Sequence, residues 1–166
     1  FIDAKPEMLG MEVSPNFTLG QFLCKQQPGH EPTYVLIRPA MLAKLEAVLD
    51  IVQSNGHDVG TLTVMSGFRT PWYNTSIGNR TASSRHLYGG AADVFVDANG
   101  DGWMDDLTGD GDVDIEDARA LARWAEDGAQ ALGDDQWLVG GLGVYAANAV
   151  RGPFVHIDAR GYKARW

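Results

Sequence analysis

One aspartate, Asp93, constrains the fold of this chain more than any other residue, because it lies within an otherwise apolar segment, 91–96. This short run of Ala, Val and Phe predicts a β-strand in the protein interior. A carboxylate buried there is costly unless a cation, hydrogen-bond donors or a metal ion compensate it. We therefore expect the fold to bring a partner to Asp93, and an arginine, backbone amides and a metal ion are the candidates.

The rest of the chain predicts two long helices and three further strands. Between 39 and 54, apolar residues recur at spacings of three and four after a proline, which predicts an amphipathic helix. A second helix is predicted over 115–132, and a short one over 18–23 with Thr18 as its N-cap. The other predicted strands cover 61–65, 138–145 and 154–158.

The remaining segments lack such periodicity. Residues 1–33, apart from the short helix, and the loop rich in Gly, Ser, Thr and Asn that runs to Ser84 are expected to be irregular. We therefore predict one α+β domain over 1–166, with a small, mostly antiparallel sheet packed with helices.

The composition argues against several classes of function. A net charge of −9 disfavours nucleic acid or an anionic membrane surface as the main partner. The single cysteine, Cys24, rules out an internal disulfide framework and is expected to be buried. No apolar run approaches the roughly 18 residues that a transmembrane segment needs. The chain begins at Phe1 without Met, which is consistent with removal of an upstream segment, and we expect a monomer.

Two histidines are the candidates to join Asp93 at a metal ion. His86 precedes Asp93 by seven residues, and the glycine pair between them allows the tight turn that lets both side chains converge. His156 lies in the predicted strand 154–158. Each of these residues alone is more often a hydrogen-bonded structural residue than a metal ligand. Together, two imidazoles and one carboxylate fit Zn²⁺, and Fe²⁺ less well.

The spacing of residues around His86 resembles the first signature of the zinc D-Ala-D-Ala carboxypeptidase family, Ser-x-His-x-x-Gly-x-Ala-x-Asp. The matching residues are Ser84, His86, Gly89, Ala91 and Asp93. The segments 64–70, 140–145 and 154–158 are also similar to that family. The resemblance covers about 17–96 and 137–166, and it implies the hedgehog/DD-peptidase fold.

The resemblance implies zinc-dependent hydrolysis of peptide bonds in peptidoglycan stem peptides or cross-links, with one Zn²⁺ held by His86, Asp93 and His156. The ion would activate water and polarise the scissile carbonyl. Arg69 matches an arginine of the family and is expected to stabilise an oxyanion or clamp a substrate carboxylate, with a structural ion pair as the alternative. The expected substrate-binding residues are Ser66, Arg69, Ser84 and Tyr88.

One departure from the family pattern concerns the general base. Many members carry an acid three residues before the last zinc histidine, or a second histidine two residues before it. Those positions are Pro153 and Phe154 here. Asp158 is the nearest carboxylate, and two roles are open to it: general base, or a partner that orients a histidine ring. The alternative function is therefore a zinc- and calcium-stabilised cell-wall binding or structural module with weak or no catalysis.

An acidic, glycine-punctuated insertion at about 97–132 is typical of calcium binding. EF-hand and dockerin loops place oxygen ligands at positions 1, 3, 5, 7, 9 and 12, with glycine at position 6. The loop predicted on this pattern consists of Asp106, Thr108, Asp110, Asp112, Asp114 and Asp117. A second, less complete loop would consist of Asp97, Asn99, Asp101, Trp103 and Asp105.

We expect one or two structural Ca²⁺ ions in these loops. Because such loops fill where calcium is millimolar, we also expect a secreted, periplasmic or cell-envelope protein. A cohesin-binding dockerin needs two complete loop-helix units, and only one is visible in the sequence.

Overall fold

A computed structural model describes residues 1–25, 32–81, 83–131 and 140–166. The helices in the described part are α1 (Pro39–Ser54), α2 (Pro71–Ser76) and α3 (Ile115–Ala131). Short 3₁₀ turns lie at Pro6–Met8, Leu19–Phe22 and Arg85–Tyr88. The strands are β1 (Ile2–Asp3), β2 (Glu12–Ser14), β3 (Phe17–Thr18), β4 (Tyr34–Val35), β5 (Thr63–Ser66), β6 (Ala91–Phe95), β7 (Gly141–Tyr145), β8 (Phe154–Asp158) and β9 (Ala164–Arg165).

Five of the strands form one sheet in the order β5-β6-β8-β7-β9. The first four pair with one another in antiparallel fashion, whereas β9 runs parallel to β7. Helix α3 contacts both β7 and β8 as well as α1. The mixed α+β architecture and the mostly antiparallel sheet are thus confirmed, while the single-domain and hedgehog-like assignments stay predictions. None of the described helices combines the length and apolarity that crossing a membrane requires.

Helix α1 has the bounds that its apolar spacing predicts. It begins with Pro39 at its first position, and its apolar inner face is buried. The side chains of this face are Met41, Leu45, Val48, Leu49 and Val52. Burial of each such side chain contributes about 1.5–3 kcal/mol, so this face alone is a large part of what holds the helix in place.

The segments predicted to be irregular contain ordered elements that the sequence pattern does not show. Helix α2 lies in the supposed loop, where the Thr70 side chain accepts a hydrogen bond from the backbone of Tyr73 and Pro71 opens the helix. Strands β1, β2 and β3 lie within the first 33 residues, and β4 follows them. Elements of two to six residues are too short for a periodic signal, because their pairing partners stabilise them rather than their own pattern.

Several predicted bounds also shift by a few residues. The strand predicted at 61–65 is β5, Thr63–Ser66, and the short helix predicted at 18–23 is a 3₁₀ turn, Leu19–Phe22, with Thr18 in a capping box. The predicted end of the second helix at Leu132 and the predicted start of a strand at Leu138 lie outside the described residues.

Candidate metal centre

The pairing of β6 with β8 brings Asp93 and His156 together. The two residues are direct partners in the antiparallel register, so their side chains stand side by side on one face of the sheet. On the other face, the buried partners Val94 and Val155 belong to the hydrophobic core. The sheet therefore sets one imidazole against one carboxylate without any contribution from loops.

His86 reaches the same point from the 3₁₀ turn Arg85–Tyr88. The turn ends at Gly89, whose φ of 63° is left-handed and whose Cβ position would lie 2.4 Å from the Leu36 carbonyl oxygen. Only glycine fits there, because a side chain would be both strained and in collision with backbone. This turn directs the chain into β6 and places His86 over Asp93.

Three ligand atoms converge at this point. His86 Nε2 lies 3.1 Å from His156 Nδ1, His156 Nδ1 lies 2.8 Å from Asp93 Oδ1, and His86 Nε2 lies 3.3 Å from Asp93 Oδ1. In a tetrahedral zinc site with bonds near 2.0–2.1 Å, ligand atoms are separated by about 3.3–3.4 Å. Among the described residues, this is the only group of three His, Cys, Asp or Glu ligand atoms that lie within 4.8 Å of one another.

The outer hydrogen bonds of the two histidines decide which atoms face the centre. His86 Nδ1 lies 2.7 Å from the Gly67 carbonyl oxygen, which can only accept, so Nδ1 carries a proton. His156 Nε2 lies 3.2 Å from Asp158 Oδ2, which also accepts. In the neutral rings the remaining nitrogens present lone pairs to each other and to Asp93 Oδ1. Three acceptors so close together repel one another unless a proton or a cation lies between them.

Burial and mutual contacts shift the pKa of each group. His86, Asp93 and His156 are 2%, 4% and 8% exposed. Burial lowers the pKa of His86 more than Asp93 raises it. Burial opposes ionisation of Asp93, but the neighbouring His86 and the hydrogen bond from His156 hold the pKa of Asp93 well below its usual range. Burial lowers the pKa of His156, yet the hydrogen bonds to Asp158 and Asp93 outweigh it and raise the pKa.

Arg69 fixes the second oxygen of the Asp93 carboxylate. Its Nη2 forms a buried ion pair with Asp93 Oδ2, and its Nε donates to Ser66 Oγ at 2.8 Å. Asp93 Oδ1 is thereby left for the two histidines. The ion pair is the alternative role that the sequence leaves open for Arg69, and the residue also lines the cleft described below.

Asp158 lies behind His156 and is fully buried. Its Oδ1 accepts hydrogen bonds from the Gly141 backbone at 2.8 Å and from Arg160 Nε at 2.9 Å, and its Oδ2 contacts His156 and Arg160. Burial would raise the pKa of Asp158, but the hydrogen bonds from His156 and Arg160 keep it well below its usual range. Both oxygens are therefore occupied, and Asp158 is not among the residues that line the cleft.

The three ligand atoms face a cleft of about 890 Å³. Of the predicted substrate-binding residues, Ser66, Arg69 and Ser84 line it. Tyr88 does not: it lies outside the lining, the residue is 45% exposed, and its carbonyl oxygen accepts a hydrogen bond from Arg38 Nε. In a 3₁₀ turn, residues two positions apart are rotated by about 240° around the helix axis, so His86 and Tyr88 point to different sides.

Trp166, which the sequence did not single out, forms one wall of the cleft together with Tyr145. The Trp166 ring centroid lies 5.3 Å from that of His156, and Trp166 Nε1 donates to Tyr145 Oη at 2.7 Å. Glycine makes room for this ring, since a Cβ on Gly143 would lie 2.5 Å from Trp166 Nε1. Alternate glycines in the strand sequence Gly141-Leu142-Gly143 are the signal of such a close approach.

The acidic insertion folds as two consecutive loops whose carboxylates bind their own backbone. Asp97 accepts from the amides of Gly100 and Gly102, and Asp106 accepts in the same way from Gly109 and Gly111. Backbone amides also donate hydrogen bonds to the side chains of Asn99, Asp101, Asp105, Asp110, Asp114 and Asp117.

These carboxylates do not converge as His86, Asp93 and His156 do. Within the described residues no three acidic groups of the loops form a metal-ligand cluster. Thr108 and Asp112 are exposed, and Trp103 lines a separate cavity. The structure thus gives no support for calcium, and both calcium sites stay predictions.

Comparison with protein families decides which class of protein this arrangement belongs to. A sequence model described as Peptidase M15 matches residues 15–104, which is more than half of the 166 residues. The chain belongs to the peptidase M15 family. M15 peptidases use zinc and act on peptidoglycan-type substrates, and the matched segment of this M15 protein contains His86 and Asp93, while His156 lies beyond it. Neither the curated proteins nor the solved structures yielded a match.

Proposed function

We propose that this M15 protein hydrolyses peptide bonds in peptidoglycan stem peptides or cross-links, as a zinc-dependent D-Ala-D-Ala carboxypeptidase or endopeptidase. The observation that carries the proposal is the triangle of His86 Nε2, His156 Nδ1 and Asp93 Oδ1 at the edge of a large cleft. Family membership supports the peptidase chemistry, and the triangle supplies a place for it.

The donor set fits Zn²⁺ on three grounds. Two nitrogens and one oxygen are ligands of the type found in catalytic zinc sites. Their separations of 2.8–3.3 Å approach those of a tetrahedral face. Each ligand also has an outer partner that orients it: the Gly67 carbonyl for His86, and the side chains of Asp158 and Arg69 for His156 and Asp93. A bound Zn²⁺ supplies Lewis acidity that polarises a carbonyl oxygen and makes water more acidic.

The chain's own residues then divide the work of binding and orientation. Arg69 Nη1 has no hydrogen-bond partner among the described residues, so it is available to donate to a substrate oxygen that becomes negative. Ser66 Oγ accepts from Arg69, which leaves its own hydroxyl proton for substrate. Ser84 adds a second hydroxyl to the cleft. We assign Asp158 to the orientation of His156, because both of its oxygens are already occupied.

One observation favours a second candidate function. Among the described residues, Asp93 is the only carboxylate that lines the cleft, and it is one of the three ligands. No second acid is therefore placed there to accept a proton from water. A zinc-stabilised module that binds peptidoglycan peptides without hydrolysing them would have such a cleft.

Incubation with purified muropeptides separates the two functions. Zinc-loaded protein, with and without chelator, is mixed with monomeric and cross-linked muropeptides, and products are identified by mass. We expect loss of terminal D-Ala or conversion of dimers to monomers, abolished by chelator. A zinc-loaded protein that binds muropeptides in calorimetry and forms no product would refute the peptidase and support the binding module.

Two variants control that experiment. His156→Ala removes one ligand, so we expect loss of stoichiometric zinc and of product. His57→Ala is the matched control, since the His57 ring packs against Trp124 away from the cleft, and it should keep both. Full zinc retention by His156→Ala would remove the metal assignment.

We further propose that the protein acts outside the cytoplasm, because its proposed substrate is located there. Fractionation of the producing cells with an antibody to the chain tests this, and a purely cytoplasmic pool would contradict it.

A further inference from the structure

The cleft has a charge opposite to that of the whole protein. The chain carries a net charge of −9, yet of the residues that the structure describes, five Lys and Arg side chains and one carboxylate, Asp93, line the cleft. The five cationic residues are Lys25, Arg69, Arg85, Arg151 and Arg160. A recess lined by one sign of charge concentrates ligands of the other sign.

Three of these cations, Lys25, Arg85 and Arg151, form no ion pair in the described part of the protein. Of the three, Lys25 and Arg151 also line a second cavity. The Lys25 ammonium forms no hydrogen bond or ion pair there, although it is close enough to Asp93 and Arg69 to feel both charges. Arg151 Nη1 donates only to the carbonyl oxygens of Ala146 and Gly152. In contrast, Asp93 and Asp158 neutralise Arg69 and Arg160.

Arg151 is nevertheless held in a defined position. Its guanidinium carbon lies 4.3 Å from the centroid of the Phe154 ring, so the group is stacked as well as hydrogen-bonded to backbone. A stacked guanidinium with uncommitted N–H groups loses little conformational freedom when it binds an oxyanion. It is therefore suited to a carboxylate that comes from outside the protein.

A second cavity of about 320 Å³ extends beyond these two residues. It shares Lys25, Met65, Val150 and Arg151 with the main cleft, so those residues stand where the two spaces meet. Its other lining residues are Thr63, Val64, Phe95, Gly102, Trp103, Met104, Gly152 and Pro153. None of them is acidic, and Trp103 comes from the acidic insertion.

We propose that Lys25 and Arg151 form a subsite for a free carboxylate of the substrate peptide, at the junction of the main cleft and the second cavity. The substrate is then an acidic peptide that extends past the three metal ligands, with its carboxylate away from the scissile bond and its next residues near Trp103. This proposal rests on the proposed peptidase function for the identity of the ligand as a peptide.

A matched pair of peptides tests the subsite. Two synthetic stem peptides with the same scissile bond are compared, one with a free glutamate carboxylate upstream of that bond and one with the corresponding amide. We expect zinc-loaded protein to prefer the acidic peptide in kcat/KM, mainly through KM, and the preference to decrease as salt is raised. Lys25→Gln and Arg151→Gln should each reduce the ratio of acidic to amide kcat/KM about tenfold, because each removes a charge-assisted hydrogen bond.

Arg123→Gln is the matched control, because it removes the same charge from an exposed position on α3 outside both cavities. A wild-type protein that treats both peptides alike would overturn the subsite, and so would an equal loss of preference in Arg123→Gln. If neither peptide is cleaved, the proposed peptidase function fails. In that case, calorimetry measures the dissociation constants of the acidic and the amide peptide for wild type and for each variant. The ratio of these two constants then tests the subsite in the same way as the ratio of kcat/KM values.

Discussion

Lys44 offers a quantitative test of the structure, because a lysine is seldom placed inside a hydrophobic core. It lies on the inner face of α1, is 3% exposed, and donates from Nζ to the Asp158 carbonyl oxygen at 2.8 Å. Burial lowers the pKa of Lys44 to about 8, although the charge of Asp158 acts in the opposite direction. The folded protein therefore disfavours the charged form, and this makes its stability depend on pH in a defined window.

The sign and the size follow from the two pKa values, about 8 in the folded protein and 10.5 for an ordinary lysine. Below pH 8 both states are protonated and the folded state bears the full penalty, about 3 kcal/mol. Between pH 8 and 10.5 the unfolded chain binds more protons, so stability rises with pH. Above 10.5 the penalty is gone. Lys44→Met has no such group, so wild type should gain about 2.5 kcal/mol relative to this variant between pH 7 and 10.

Urea unfolding of metal-free protein across this pH range, followed by tryptophan fluorescence, measures the difference. Lys44→Met also loses the hydrogen bond to the Asp158 carbonyl. This loss displaces the curve of unfolding free energy against pH by a constant and leaves its slope unchanged. Lys163→Met is the control, because it removes an ammonium whose side chain is 62% exposed, together with its surface ion pair to Glu126, and so reports the effect of losing an exposed lysine. If the unfolding free energies of wild type and Lys44→Met change in parallel from pH 7 to 10, burial does not lower the pKa of Lys44 and the reasoning is refuted.

Three further predictions concern the centre, the cleft wall and the insertion. Asp158→Asn should weaken zinc binding about 10- to 100-fold in competition with a chromophoric chelator, and an unchanged affinity would show that Asp158 does not orient His156. Gly143→Ala should displace the Trp166 ring, which lowers the free energy of unfolding in urea by about 1–3 kcal/mol and shifts the tryptophan fluorescence to the red. Gly60→Ala, with open space around its Cβ, should change neither quantity. Equal effects of the two variants would contradict the close contact between Gly143 and Trp166. Added Ca²⁺ should raise the Tm of wild type but not that of Asp110→Asn. A wild-type Tm that does not change when Ca²⁺ is added would exclude the calcium loop.

The elements that the sequence predicts best are those whose stability is visible in their own residues. Helix α1 shows its apolar spacing and its opening proline, and β8 appears with the predicted bounds, Phe154–Asp158. The two-residue strand β9 has no such internal signal, because it exists only through pairing with β7. For the same reason Trp166, which β9 positions beside His156, could not be recognised as a cleft residue.

The three candidate ligands were predictable as residue types, whereas their geometry was not. Spacing and family resemblance indicate His86, Asp93 and His156, but the side-by-side placement of Asp93 and His156 depends on the register of two strands about 60 residues apart. A shift of one residue in that register would send one of them to the opposite face. Tyr88, which was expected to bind substrate, lies outside the cleft lining for a local reason, because the 3₁₀ turn rotates it away from the cleft.

The hydrogen bonds of the trio show why a cation, and not a fixed structural network, suits this site. Without a metal ion, one additional proton on His156 relieves the repulsion among the three atoms. The His156 ring lies between two carboxylates, so the protonated ring donates from Nδ1 to Asp93 and from Nε2 to Asp158. A bound divalent cation satisfies the same three atoms only after that proton leaves, so proton and metal are alternatives for one position. A purely structural network would be sealed in the core, yet this one faces a cleft of about 890 Å³. The position is thus open on the side from which both a metal ion and a peptide can approach, and we expect the cation to be its functional occupant.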